Sequence, residues 1–163
     1  MQQHDAVVSM IDFKHWENPH AVNLNFKQAI QPVPGQWIRI DPVVANQNLG
    51  HLLRILNRKL LSRAENRRGL RLGSAFAFET GGFADRLHCH GMIECPHSAN
   101  LTNLSELVTQ AWAKTTWGYG RNVVEPCDDE WPEYFLKLRT KSDFIDAIPF
   151  PLWQLPLSAQ HRT

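Results

Sequence analysis

The chain has 163 residues, 43% of them hydrophobic, with six Trp and eight Phe, enough for one domain with a substantial core. A formal net charge of +1 singles out no partner by itself, no apolar run is long enough to span a bilayer, and no secretory-type leader is expected. Three irregularly spaced cysteines (Cys89, Cys95 and Cys127) argue against a disulfide framework, so a reducing cytoplasm is the expected compartment.

Residues 1–18 show no clear period and read as an arm or edge segment. From His20 to Phe26, Val22, Leu24 and Phe26 alternate with Asn23 and Asn25, the pattern of a half-buried strand. Pro32, Pro34 and Gly35 mark a loop. From Asn48 onward, Leu49, Leu52, Leu53, Leu56, Leu60 and Leu61 recur at helical spacing, and Gly69 is a plausible stop. Arg54, Arg58, Lys59, Arg63, Arg67, Arg68 and Arg71 crowd the same stretch, as either a solvated face or a surface for nucleic acid. Leu70 to Glu79 reads as a strand, residues 80–85 as a turn, and Leu87 to Glu94 as the returning strand of a hairpin.

Asn100 or Thr102 is placed to cap a helix with Leu104, Leu107, Val108, Ala111 and Trp112 on one stripe. Residues 119–125 read as a further strand. Asp128, Asp129 and Pro132 open a last helix, because acids and proline favour the first turn. Pro149, Pro151 and Pro156 mark a tail, residues 147–163, that should not be helical. The order β-α-β-β-α-β followed by α predicts an α+β fold of the split βαβ, ferredoxin-like kind, an antiparallel sheet with helices mainly on one face. A single domain with a core at about residues 20–146 is expected. The other sheet face needs a cover: a ligand, a nucleic acid or the last helix.

Chemistry concentrates in two places. His88 and His90 are two apart on a strand and therefore share a face, while Cys89 and Ile93 point to the opposite layer. Glu79, at the end of the preceding strand, reaches His88 if the hairpin pairs in simple register. Two imidazoles and a carboxylate leave coordination positions open, as a catalytic metal requires. Two partly exposed histidines without metal remain the plain alternative. A closed zinc site using His88, His90, Cys95, His97 or Cys127 is a third reading, weakened by the lack of a Cys-x-x-Cys pair. In the last helix, Trp131, Phe135 and Leu138 form a stripe for burial, with Tyr134, Lys137 and Lys141 on its flank. Cations beside a phenol favour phenolate and hold phosphate; alternatively the tyrosine merely packs on an amphipathic helix.

The two motifs in this order resemble the HUH endonucleases, which comprise rolling-circle replication initiators, conjugative relaxases and single-strand transposases. Their pattern is two histidines around one residue on a central strand, then a helix that in single-tyrosine initiators reads Tyr-x-x-Lys, here Tyr134 to Lys137. The strand from Ala21 to Phe26 looks like the family's first motif; Cys89 departs from it, standing where a larger apolar residue is usual. The resemblance implies transesterification of single-stranded or hairpin DNA at an origin or repeat, with Tyr134 as nucleophile and Lys137 steadying the phosphate. It implies Mg2+ or Mn2+ held by His88, His90 and Glu79, DNA contacts from Arg86, Lys137 and Lys141, and a host helicase and polymerase acting in trans. No membrane partner is expected, and no P-loop is present. A transposase-like processor of palindromic repeats, or a non-catalytic DNA-binding repressor, are the alternatives on this fold.

Overall fold

A computed structural model describes residues 2–81, 86–96, 104–136 and 147–160. The described elements are α1 (Gln2–Ser9), β1 (Pro19–Asn25), β2 (Ala29–Val33), β3 (Gln36–Arg39), α2 (Pro42–Leu60), α3 (Arg63–Arg67), β4 (Ser74–Gly81), β5 (Arg86–Glu94), α4 (Leu104–Ala113), β6 (Val123–Pro126), α5 (Trp131–Leu136) and α6 (Leu157–Gln160). Four strands form one antiparallel sheet in the order β4-β5-β1-β6, which is the split βαβ arrangement with β1 and β5 at its centre.

Strand alternation divides the core in two. Val22, Leu24, Phe26, Phe76, Phe78, Cys89, Ile93 and Val124 face the leucines of α2 together with Val108 and Trp112 of α4. On the other face, Ala75, Ala77 and Met92 pack against Val7 of α1 and against Phe135 and Leu136 of α5. Alanines at 75 and 77 leave room for α5 to lie close over β4. One end of this second face is thus covered by helices, and the other end is left to polar side chains.

Several sequence expectations change. The N-terminal arm contains a helix, whose Val7 is buried in the second core. The loop of Pro32, Pro34 and Gly35 is the tip of a hairpin formed by β2 and β3, with Gly35 at φ +82 in a conformation that excludes most side chains. Both strands are largely exposed, so prolines are tolerated there as on an edge. Helix α2 begins at Pro42 rather than Asn48, because Asp41 caps it by accepting a hydrogen bond from the Val44 N–H at 2.8 Å. The proline-rich tail is not free of helix: Phe150–Leu152 form a 3-10 turn and α6 follows. Short turns suit prolines at their first positions, where no N–H is needed. The proposed caps Asn100 and Thr102 lie outside the described residues. No helix of the described residues is long and apolar enough to cross a membrane.

Candidate metal centre and active site

Register brings the first constellation together. Glu79 on β4 pairs directly with His88 on β5, and Ala77 pairs with His90. The side chain of Gln28 fixes the start of β5, accepting from the Leu87 N–H and donating to the Leu87 carbonyl, both at 2.9 Å. Gly91 is required next to His90, since a Cβ there would overlap the Ala75 carbonyl and the Phe76 ring.

One oxygen of Glu79 faces both imidazoles, 3.5 Å from His88 Nε2 and 3.1 Å from His90 Nε2. The two rings meet edge to face at 4.8 Å between centroids. Glu79, His88 and His90 each offer a ligand atom, all within 4.8 Å of one another, and among the described residues this is the group able to hold a metal ion. Ligand bonds of about 2.1 Å set neighbouring ligand atoms about 3 Å apart, close to the 3.1 and 3.5 Å from the Glu79 oxygen to the two imidazole nitrogens.

The hydrogen-bond pattern fits a cation. His88 Nδ1 lies 3.1 Å from the Arg86 carbonyl, an acceptor, so that nitrogen carries the proton. With Nδ1 turned to that carbonyl, Nε2 is the ring nitrogen that faces the Glu79 carboxylate, where a bound cation would be shared by both. Asn23, directly opposite His90 on β1, has its Oδ1 buried with no hydrogen-bond partner among the described residues. Sequence periodicity puts Asn23 on this face; its value as an oxygen donor appears only from the pairing register.

Thiolate zinc chemistry finds little support among the described residues. Cys89 is buried on the opposite face, and burial pushes its thiol far up. Burial first, then the Asp128 charge, raises Cys127 to about 12, away from the thiolate a metal needs. His97 lies outside the described residues.

Helix α5 approaches the histidine strand through Trp131, whose Nε1 donates to the Gly91 carbonyl at 2.8 Å. The phenol ring of Tyr134 stacks on Trp131, centroids 5.0 Å apart and planes inclined by 26°, and is 58% exposed. Tyr134, Trp131 and His90 line one cleft of about 260 Å³ with Asn23, Val123 and Glu125. Tyr134 thus shares a cavity with one histidine of the cluster. Lys137 and Lys141 lie outside the described residues. Within those residues, the surroundings of Tyr134 are acidic, with Asp128, Asp129, Glu130 and Glu133 around the start of α5.

Among the described residues, positive charge lies elsewhere. Arg86, two residues before His88 and on its face, is exposed at the far rim of the site. The arginines of α2 and α3 are exposed on the layer behind the sheet, opposite the histidines. The antiparallel sheet with its His-His-Glu cluster resembles the HUH arrangement in these respects. Compared with known proteins, the chain matches no family model, no curated protein and no solved structure.

Proposed function

We propose that the protein is a metal-dependent endonuclease and strand-transferase acting on single-stranded DNA, in the manner of single-tyrosine rolling-circle initiators. The observation that carries this reading is the shared cleft of Tyr134 and His90, on the sheet face that also presents Glu79 and His88. A non-catalytic DNA-binding module requires neither feature.

A divalent ion held by His88, His90 and Glu79 would supply Lewis-acid polarisation of a phosphate oxygen, and magnesium or manganese suits such a mixed oxygen and nitrogen set. Tyr134 Oη attacks the phosphorus as its proton leaves. The bond to the 3′ oxygen breaks, and that oxygen takes up a proton as a free 3′-hydroxyl. The 5′ phosphate stays esterified to Tyr134, and attack by a 3′-hydroxyl on this ester reseals the strand and regenerates the phenol. Trp131 orients the ring by stacking and holds its helix to the histidine strand.

The test is incubation with hairpin-bearing single-stranded DNA and manganese, followed by a denaturing gel. A protein-linked 5′ fragment is expected from the wild type, and none from Tyr134→Phe, which lacks one oxygen of a half-exposed side chain. His88→Ala/His90→Ala should lose manganese binding by calorimetry. Cleavage at the same phosphodiester by Tyr134→Phe would overturn the assigned nucleophile, and unchanged manganese affinity in the double variant would overturn the metal site.

A further inference from the structure

Across the site from Tyr134, the rim is built from a turn whose backbone is unusually constrained. The Tyr119 N–H donates to the Asn25 carbonyl at 3.0 Å, and the Trp112 indole donates to the same oxygen at 2.9 Å. Asn25 N–H donates to Asn122 Oδ1 at 3.0 Å, and Asn25 Nδ2 donates to the Arg121 carbonyl at 2.9 Å. Asn122 Nδ2 closes the turn on the Tyr119 carbonyl at 3.0 Å. Gly118 precedes it where a Cβ would overlap the Trp112 carbonyl. Arg121 is held at φ 61, a left-handed conformation costly for a residue with a side chain. Asn25, the residue clamping all this, pairs directly with His88.

The clamp secures the backbone and leaves the Tyr119 ring 46% exposed. The Arg86 guanidinium lies over that ring, 5.8 Å from its centroid. An exposed aromatic ring beside a cation, carried on a backbone held by these hydrogen bonds, suits a flat heteroaromatic ring attached to an anionic backbone. Charge favours this rim: Arg86 and Arg121 are exposed here, whereas the Tyr134 side carries Asp128, Asp129, Glu130 and Glu133. Among the described residues, the cations of this rim favour a phosphodiester backbone running past Tyr119.

We infer that Tyr119 and Arg86 form a stacking subsite for a nucleobase of single-stranded DNA, adjoining the Glu79, His88 and His90 cluster where the scissile phosphate of the proposed reaction would lie. The inference rests on the single-strand reading above and adds where the neighbouring base sits. Stacking of this kind tolerates any base, so the subsite supplies affinity and strand placement rather than sequence choice. Asn25 is a positioning residue, tying the histidine strand's neighbour to the platform.

The experiment compares binding of a short fluorescent oligo-dT and of the same backbone made abasic, by polarisation, in wild type, Tyr119→Ala, Tyr119→Phe and Arg86→Gln. Wild type should prefer the oligo-dT, and Tyr119→Ala should lose about tenfold on it while changing little on the abasic strand. Tyr119→Phe should stay within about twofold of wild type, and Arg86→Gln should weaken both strands with a shallower salt dependence. Tyr119→Ala binding oligo-dT as wild type does, or losing equally on both strands, overturns the subsite while leaving the covalent adduct at Tyr134 as separate support for the nuclease reading. Failure of the wild type to bind either strand overturns both.

Discussion

Glu94 shows how much a single buried carboxylate holds together. It is fully buried at the end of β5; one oxygen accepts from the Glu17 N–H at 3.0 Å, the other from Gly73 at 3.2 Å and Leu157 at 2.9 Å. Burial raises its pKa above the ordinary value of about 4.5, and the three backbone bonds only partly oppose this. Its protonated form is thus favoured by the folded state. That contribution is complete below about 4.5 and is lost as pH climbs through the raised value. The stability difference between wild type and Glu94→Gln, measured by urea unfolding, should therefore shift against the wild type from about pH 4.5 to neutrality; a pH-independent difference would contradict it. Glu94→Ala should cost about 3 kcal/mol or more, because three N–H groups, two of them buried, lose their acceptor. His88, His90 and Glu79 are legible in sequence because a period of two and one short hairpin fix their faces. Glu94 and Asn25 are not, since their partners lie as far as 77 and 97 positions away along the chain.

β1, α2 and α4 are legible from their periods because each buries mainly one face, whereas β4 and β5 bury both faces for much of their length and read as short apolar runs joined by a turn. The β2–β3 hairpin buries little and has no such pattern; α1 has only a weak one, with Val7 turned into the core. The Asp41–Pro42 pair, a cap followed by proline, is the signal that places the true start of α2. Helix α5 depends on an anchor no period reveals, the Trp131 hydrogen bond to Gly91. Trp131→Phe keeps an aromatic ring beneath Tyr134 but removes that donor. The adduct should form about tenfold more slowly, since small displacements of an attacking group are expensive. Manganese affinity should be unchanged, because none of the proposed ligands is touched. Equal loss of metal binding and adduct would show that α5 supports the histidine strand itself rather than aiming the tyrosine.

At the scale of the molecule, the sheet order follows from the β-α-β-β-α-β sequence, whereas the split of charge between the two rims of the site depends on which turns the fold brings there. The described parts of the site also differ in how far apart they are in sequence. Glu79, His88 and His90 belong to adjacent strands of one hairpin, while Asn23 reaches His90 only through pairing of residues 19–25 with residues 88–94, and Tyr134 arrives with α5. Local pairings close small loops and form early, whereas the central β1–β5 pairing is non-local and slow. The ligand set should therefore exist before the sheet is complete, and a bound ion should stabilise the barrier to folding as well as the native state. In stopped-flow refolding, manganese should speed the folding limb of the chevron, an effect lost in His88→Ala/His90→Ala. If the ion only slowed unfolding, the hairpin would have to assemble after the barrier. With manganese speeding the folding limb, the order of events in folding mirrors the proposed chemistry, the ion in place first and the nucleophile delivered to it last.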